Sequence, residues 1–251
     1  MDIFDLKGKK AIITGASRGL GRGMAEGLYQ VGAELVIMGT SDSIKEVADQ
    51  IGTPRRKVHG VIADFKDKEA IVKAFEEAMS YLGDIDILIN NAGIQIRHAS
   101  EEFPIDDWEK VLMVNLTASF MMSQLAAKVM LEKGYGKIIN IASLLSFSGG
   151  LTVPAYAASK GGIAQMTKAL SNEWAARGIN VNAIAPGYMD TDNIAALKND
   201  PLRKRQILDR IPAGRFGTPN DLLGGVIFLA SQASDYVNGS ILVIDGGWMG
   251  R

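Results

Sequence analysis

Cysteine is absent from this chain of 251 residues, which excludes disulfides, thiolate nucleophiles and cysteine-ligated metal sites. Histidine is scarce, because His59 and His98 are the only two. A histidine-centred metal site therefore has poor support, and we expect no metal.

An excess of charge of either sign is also lacking. The chain has 27 Lys+Arg against 28 Asp+Glu, for a formal net charge of -1. This balance gives no electrostatic reason to expect a nucleic acid or an anionic membrane as a partner. No stretch approaches the roughly 20 apolar residues of a membrane span, and residues 1–10 do not resemble a secretory signal. We expect a soluble, cytoplasmic protein.

Short apolar runs alternate with helix-period segments along almost the whole chain. The runs predict strands at residues 10–14, 34–38, 58–63, 86–89, 137–141, 180–184 and 240–244. The intervening helices include long ones over residues 106–133 and 156–177. Runs of Val, Ile and Leu without polar alternation are typical of strands buried on both faces of a parallel sheet. We therefore predict an α/β fold in which residues 1–251 form a single domain, a doubly wound (Rossmann-type) seven-stranded parallel sheet with helices on both faces.

The least regular stretch follows the sixth predicted strand. In an open α/β sheet, the loops at the carboxyl ends of the strands surround the ligand crevice. A long insertion at that place, residues 187–217, is a candidate substrate lid.

Glycines cluster at the junction of the first strand and the first helix, spaced Gly-x-x-x-Gly-x-Gly rather than Gly-x-Gly-x-x-Gly. Glycine lets the backbone approach a pyrophosphate closely, and a helix N-terminus offers N–H groups and a positive dipole end. The junction predicts a dinucleotide phosphate site, although tight packing of helix on strand is an alternative. The residues concerned are Gly15, Ser17, Arg18, Gly19, Leu20 and Gly21.

The 2′ position of the dinucleotide is open. An acid at the end of the second strand would bind a ribose hydroxyl and select NAD, but residues 38–41 read Met-Gly-Thr-Ser. Arg18 could pair with the 2′-phosphate of NADP. A small neutral strand end also leaves room for an unphosphorylated ribose, so the cofactor is NAD or NADP.

A tyrosine and a lysine four residues apart open the helix after the fifth strand. Tyr156 and Lys160 share one helix face, about 6 Å apart along the axis. An ammonium beside a phenol favours the phenolate, so we expect the pKa of Tyr156 to lie below its usual value, which suits a general acid and base. Ser143 follows the fifth strand and can hydrogen-bond a substrate oxygen. Asn115 lies in an apolar helix where asparagine is a mediocre helix former, which suggests a polar role facing the cleft.

Three further segments stand at predicted strand ends. After the fourth strand, an Asn-Ala-Gly sequence could let the adenosine ribose approach the backbone, although an ordinary turn is a serious alternative; it comprises Asn91, Ala92 and Gly93. The segment after the sixth strand could cap the nicotinamide amide; it contributes Pro186, Gly187, Met189 and Thr191. Asp64, at the end of the third strand, could bind the adenine amino group or begin the next helix.

These residues, in this order, resemble the short-chain dehydrogenase/reductase family over essentially the whole chain. The resemblance implies that Tyr156 is the catalytic acid and base and that Ser143 orients the substrate oxygen. It implies that Lys160 binds the nicotinamide ribose and lowers the pKa of Tyr156, and that Asn115 holds a water in a proton relay. It also implies a homotetramer and no metal.

Within that family, residues 90–98 and the C-terminal third resemble dehydrogenases of sugar acids. The resemblance implies hydride transfer between NAD or NADP and a secondary alcohol or ketone of a gluconate-type acid, in uronate and pectin breakdown. Arg97 should overhang the crevice, where a guanidinium suits a carboxylate; from position alone, a solvated loop arginine explains it equally well. We therefore expect a small-molecule sugar acid as partner, bound by Arg97, Ser143 and Tyr156, with His98 and Arg215 as weaker candidates.

Two other functions compete with this one. A 3-oxoacyl-carrier-protein reductase shares all the catalytic residues, and its acidic carrier predicts basic residues around the site entrance. A nucleotide-sensing scaffold would keep the fold without chemistry, but such a chain should lack part of the catalytic set, and none is missing here.

Overall fold

The computed structural model describes residues 3–191 and 200–250 of the chain. In chain order, its strands and main helices are β1 (Lys10–Thr14), α1 (Gly19–Gln30), β2 (Glu34–Gly39), α2 (Ser43–Ile51), β3 (Val58–Ile62), α3 (Lys68–Leu82), β4 (Ile87–Asn90), α4 (Ile105–Leu112), α5 (Ala118–Lys133), β5 (Gly136–Ile141), α6 (Pro154–Trp174), β6 (Ile179–Pro186), α7 (Pro201–Leu208), α8 (Pro219–Ala230) and β7 (Ile241–Ile244). The strands form one parallel sheet in the order β3-β2-β1-β4-β5-β6-β7. The predicted doubly wound, seven-stranded parallel sheet with helices on both faces is confirmed.

Apolar residues on both faces of the strands build two core layers. In β2, Leu35 and Ile37 pack with the buried residues of α1, α2 and α8, whereas Val36 and Met38 pack with those of α3 and α5. All four are essentially inaccessible to solvent. Because successive side chains of a strand point to opposite faces, both faces need apolar residues, and the strand shows no polar alternation.

The helix predicted over residues 106–133 is interrupted. Helices α4 and α5 are joined by a π-helical turn, Met113–Thr117, in which the Ala118 N–H reaches back five residues to the Met113 carbonyl. Turns of this kind occur often at functional sites. The other long helix, α6, begins at Pro154 and ends at Trp174, so the predicted limits of 156 and 177 are also wrong. Its last predicted residues form a separate 3₁₀ turn, which Gly178 ends with a left-handed backbone.

The chain order reverses between β1 and β4, which lie side by side at the centre of the sheet. In such sheets the ligand crevice opens outside the carboxyl ends of the strands at this switch point. The glycine turn after β1 and the loops after β4, β5 and β6 therefore share one edge. Among the described residues, no helix has the length and apolar character needed to cross a membrane.

The candidate lid lies partly outside the described residues, which omit 192–199. Its two ends pair with each other. The Gly217 N–H donates to the Tyr188 carbonyl at 2.9 Å, and Met189 faces Gly217 in a parallel bridge. The Tyr188 ring also contacts Trp248 near the C-terminus, with 4.8 Å between ring centroids. The ends of residues 187–217 are thus anchored, and the lid itself stays a prediction.

Candidate active site

The turn after β1 brings its backbone close to the start of α1. Gly15 and Gly19 both have left-handed backbones, with φ of 66° and 57°. A Cβ on Gly21 would lie 2.2 Å from the Gly15 carbonyl oxygen, so a side chain cannot fit there without displacing the turn. Arg18 precedes the helix as its N-cap. The geometry leaves the first N–H groups of α1 at the carboxyl edge of the sheet, as an anion site requires.

Asn91 and Thr14 tie the loop after β4 to this turn. The Asn91 side-chain amide donates to the carbonyls of Thr14 and Gly15 at 3.0 and 2.9 Å. The Thr14 hydroxyl oxygen accepts from the backbone N–H groups of Asn91 and Ala92, both at 3.0 Å. The Asn91 side chain therefore holds the glycine turn in place. Thr14 begins the glycine segment in the sequence, where we assigned it no role of its own, and its hydroxyl binds the loop after β4.

Several other predicted cofactor residues lie at the same edge. The Ser17 hydroxyl is 2.5 Å from where a Cβ on Gly39 would stand, so the Ser17 side chain lies directly against the end of β2. Thr191 approaches Gly19, with 3.7 Å from its methyl group to a Cβ built there. Leu20 contributes its backbone to the first turn of α1, while its side chain packs against the core.

The segment after β6 begins at Pro186, the last residue of that strand. A Cβ on Gly187 would lie 2.6 Å from the Asp245 Cα, so this glycine permits close passage of the C-terminal segment. Met189 is buried against Gly217. The segment after β6 therefore lies at the carboxyl edge of the sheet, as predicted.

Asp64 does not begin the next helix, which settles one of its two predicted roles. It accepts the Lys66 N–H at 3.0 Å within a turn. The N-cap of α3 is Asp67, whose carboxylate accepts the N–H groups of Glu69 and Ala70. Asp64 is half-buried at the end of β3, and its contact with an adenine stays a prediction.

Ser143, Tyr156 and Lys160 come together where β5 meets α6. The Ser143 side chain lies near enough to the Tyr156 hydroxyl to act on its pKa as a hydrogen-bond donor. The Lys160 Nζ lies 5.6 Å from the centroid of the Tyr156 ring and donates to the Ile141 carbonyl at 2.6 Å. Lys160 is only 5% exposed. The predicted proton-transfer residues thus form one cluster at the carboxyl edge.

The electrostatics of this cluster differ from our expectation. Burial raises the pKa of Tyr156, and the hydrogen bond from Ser143 opposes the rise. Burial also lowers the pKa of Lys160 to about 8. The predicted lowering of the Tyr156 pKa by Lys160 is therefore wrong for this structure, because the ammonium group binds the Ile141 carbonyl and desolvation dominates both groups. Tyr156 is a protonated phenol at neutral pH, which suits a proton donor.

Asn115 uses its side chain to brace the loop after β4. Its Oδ1 accepts the Ile94 N–H at 2.8 Å, and its Nδ2 donates to the Ile94 carbonyl and to the Ser159 hydroxyl, both at 3.0 Å. The π-helical turn presents Asn115 to this loop and to α6 together. These contacts explain why a buried polar residue stands in an apolar helix. A water relay at Asn115 stays a prediction.

Arg97 is exposed beside the segment that leads into α6. Its guanidinium makes long contacts with Gln95, the Leu151 carbonyl and the Thr152 hydroxyl, between 3.3 and 3.5 Å. Thr152 has a positive φ of 62°, and its carbonyl accepts the His98 N–H. Because its contacts are long, Arg97 can turn towards a carboxylate at small cost.

The two weaker substrate candidates already have strong partners. Nε2 of His98 lies 2.9 Å from the Asp107 carboxylate. Arg215 makes two parallel hydrogen bonds to Asp221 at 2.7 and 2.8 Å, and these bonds hold the pKa of Asp221 well below its usual value. Both pairs position loops, so neither residue is available for substrate without breaking an existing pair.

The chain has many relatives among known proteins. Residues 9–202 match the family described as short chain dehydrogenase. The chain belongs to this family. Among family members, it is 48% identical to 2-dehydro-3-deoxy-D-gluconate 5-dehydrogenase from Pseudoalteromonas atlantica (strain T6c / ATCC BAA-1087), over 100% of both chains. It is also 48% identical to the enzyme of that name from Escherichia coli (strain K12), over 100% of this chain and 99% of the relative.

Solved structures of the family agree with this assignment. A gluconate 5-dehydrogenase from Burkholderia cenocepacia J2315, in complex with NADP and tartrate, superimposes with a TM-score of 0.95 at 39% identity. The match covers 100% of this chain and 98% of that one. The predicted family is confirmed.

Proposed function

We propose that the protein is an NAD- or NADP-dependent oxidoreductase of sugar acids, and that its activity is that of a 2-dehydro-3-deoxy-D-gluconate 5-dehydrogenase in uronate and pectin breakdown. Full-length identity of 48% to enzymes of that name supports the substrate. The observation that carries the chemistry is the cluster of Ser143, Tyr156 and Lys160 at the same carboxyl edge of the sheet as the glycine turn. Gluconate 5-dehydrogenase is the nearest alternative, because the superimposed structure bears that name.

The residues at the carboxyl edge fit a dinucleotide. The glycine turn and the first N–H groups of α1 would hold its pyrophosphate, since a side chain on Gly21 would fill the space that the turn occupies. The loop after β4, held by Asn91, would border the adenosine ribose. Residues 186–191 would cover the nicotinamide. When bound, the nicotinamide supplies the hydride donor or acceptor.

Tyr156 carries the proton. In the direction of reduction, its hydroxyl donates a proton to the carbonyl oxygen that becomes an alcohol, and in oxidation the phenolate takes the proton back. The Ser143 hydroxyl orients the same oxygen. Lys160, whose pKa burial lowers to about 8, is largely an ammonium at pH 7, and it would bind the nicotinamide ribose next to Tyr156.

Arg97 binds the substrate carboxylate in this proposal. Charge-assisted hydrogen bonds of this type contribute about 1.5–3 kcal/mol, so Arg97→Ala should raise the KM for a sugar acid by about 10- to 100-fold. The kcat should change less, because the carboxylate is remote from the reacting carbon. Arg55→Ala, at an exposed arginine near β3, is the matched control and should leave KM unchanged.

The decisive experiment measures turnover of the purified protein with NAD and with NADP. The substrates are 2-dehydro-3-deoxy-D-gluconate, gluconate and an acetoacetyl thioester. We expect activity on the deoxygluconate derivative and loss of turnover in Tyr156→Phe while cofactor binding survives. Activity on thioesters alone would overturn the sugar-acid proposal, and full activity of Tyr156→Phe would remove this tyrosine from the mechanism.

One observation favours the second candidate, a 3-oxoacyl-carrier-protein reductase. Helix α7, in the segment after β6, carries three consecutive basic residues: Arg203, Lys204 and Arg205. An acidic carrier protein would find complementary charge there. Charge reversal at Arg203 and Arg205 should weaken turnover of a carrier-bound thioester more than turnover of a free sugar acid.

We further propose a cytoplasmic homotetramer with residues 187–217 as a substrate lid. The small residues of α6 support close helix contacts on two sides. A Cβ on Gly162 would meet Leu116 inside the protein at 2.7 Å, whereas one on Gly161 would meet nothing within 4 Å. Ala158 is exposed on α6. Light scattering that shows a stable monomer would contradict the tetramer.

A further inference from the structure

Ser146 connects the turn after β5 to α6. Its hydroxyl donates to the backbone carbonyl of Lys160 at 2.7 Å. The oxygen of the same hydroxyl accepts the backbone N–H of Ser143 at 3.3 Å. One side chain therefore bonds the backbones of two residues in the proton-transfer cluster, although it touches neither reacting group.

The rest of the turn is fixed to the same part of α6. The Lys160 Nζ donates to the Ile141 carbonyl, and the Ser143 hydroxyl oxygen accepts the N–H of Leu145 at 3.2 Å. The strand end, the turn and the helix are thus joined through both the main chain and the side chain of Lys160. Ser146 is half-buried in this contact.

Closing the short 3₁₀ turn explains only one of the two hydrogen bonds that the Ser146 hydroxyl makes. Leu144–Ser146 forms a 3₁₀ turn with reciprocal caps from Ser143 and Ser146, and the cap accounts for the bond that Ser146 accepts. The bond that it donates leaves the turn and reaches a residue 14 positions later. By contrast, the Ser148 hydroxyl donates only within its own turn, to the Leu144 carbonyl at 3.2 Å.

We propose that Ser146 is a positioning residue for the reaction, which holds the Ser143 hydroxyl at its working distance from Tyr156 by fastening the turn after β5 to the Lys160 carbonyl. This inference rests on the proposed roles of Ser143 and Tyr156. It does not depend on which substrate the enzyme takes. Ser146 acts through Ser143, so it belongs to the support of the site rather than to the groups that meet substrate.

The test is a set of serine variants assayed with whichever substrate the wild type turns over. Ser146→Ala should lower kcat by about 10-fold, because a poorly oriented group loses much of its contribution to the transition state. The Kd for the cofactor should stay unchanged, since the glycine turn is intact. Ser146→Thr keeps the hydroxyl and should restore most of kcat. Ser148→Ala is the matched control and should resemble the wild type.

A double-mutant cycle separates positioning from general support of the fold. In a Ser143→Ala background, Ser146→Ala should cause no further loss of kcat, because the hydroxyl that it positions is already gone. Equal losses in both backgrounds would overturn the proposal, as would a kcat of Ser146→Ala within twofold of the wild type. Substrate identity does not enter these ratios, so failure of the sugar-acid proposal is seen separately in the wild-type activity.

Hydrogen exchange of the Ser143 amide gives a readout that needs no turnover. Its N–H donates to Ser146, so it should exchange faster in Ser146→Ala and at the wild-type rate in Ser148→Ala. Thermal unfolding of each variant checks that it is folded. A Ser143 amide that exchanges equally in all three proteins would refute the contact on which the inference depends.

Discussion

Replacing Lys160 with methionine should abolish turnover and yet stabilise the protein. Burial lowers the pKa of Lys160 from 10.5 to about 8, and a tenfold change in a proton's binding constant corresponds to about 1.4 kcal/mol. Keeping this lysine charged at pH 7 therefore costs about 3 kcal/mol of folding free energy. Methionine has a similar length and no charge, so Lys160→Met removes this cost.

The gain is partly offset by the hydrogen bond that the variant loses. The Ile141 carbonyl accepts from Lys160 at 2.6 Å, and leaving it without this donor should cost about 1–2 kcal/mol. We expect a net stabilisation of about 1–2 kcal/mol at pH 7, or roughly 2–8 °C in Tm for a domain of this size.

The direction in which the stability difference between the wild type and Lys160→Met changes with pH follows from the two pKa values of Lys160. The folded pKa, about 8, lies below the unfolded value of 10.5, so between these values the unfolded chain binds more protons. The wild type must therefore gain stability relative to Lys160→Met as pH rises through this window. The advantage of the variant should shrink above pH 8 and reverse at about pH 9–10, and near pH 10.5 only the lost hydrogen bond should remain.

Urea unfolding of both proteins at pH 7 and pH 10, followed by tryptophan fluorescence, measures this difference. Lys168→Met is the matched control, because Lys168 is exposed on the same helix. It should change stability by less than about 0.5 kcal/mol at either pH. A Lys160→Met variant that is less stable at pH 7, or a difference that does not change with pH, would refute the reasoning.

Two other predictions concern the glycine turn and the opposite edge of the sheet. Gly21→Ala would place a Cβ 2.2 Å from the Gly15 carbonyl oxygen. It should weaken cofactor binding by about 10- to 100-fold, as measured by titration with NADPH. The control is Gly224→Ala, where a Cβ meets nothing within 4 Å, and it should bind the cofactor normally. Lys137→Ala removes a side chain that is fully buried in β5 and should lower the free energy of urea unfolding by about 3 kcal/mol. Lys128→Ala, on the surface of α5, should lower it little. Equal stability of the two variants would contradict this prediction.

The strands and the glycine turn could be predicted because each depends on local information. Four to six consecutive apolar residues satisfy both faces of a buried strand wherever they occur. The turn needs glycine at Gly15 and Gly19 because of their backbone angles. Both requirements concern the residue type at particular positions, so they can be predicted from the sequence alone.

The electrostatics and the braces of the site could not be predicted in the same way. The spacing of Tyr156 and Lys160 is visible in sequence, but the direction of each pKa depends on how much water the fold removes from each group. Asn115 finds its partner Ile94 at a distance of 21 residues, through an irregular turn that no helical period indicates. The bond from Ser146 to the Lys160 carbonyl joins residues 14 positions apart and follows only from packing.

Two buried lysines lie near opposite ends of β5 and differ in the groups that they bind. At the amino end of β5, Lys137 donates to the Asp235 carboxylate at 2.7 Å and to Asn180 at 2.9 Å; burial lowers its pKa, and the Asp235 carboxylate opposes that shift. Near the carboxyl end of β5, Lys160 donates to the Ile141 carbonyl, and burial lowers its pKa to about 8. Lys160, whose pKa burial lowers to about 8 beside the Tyr156 ring, is the lysine of this pair for which we propose a role in the reaction.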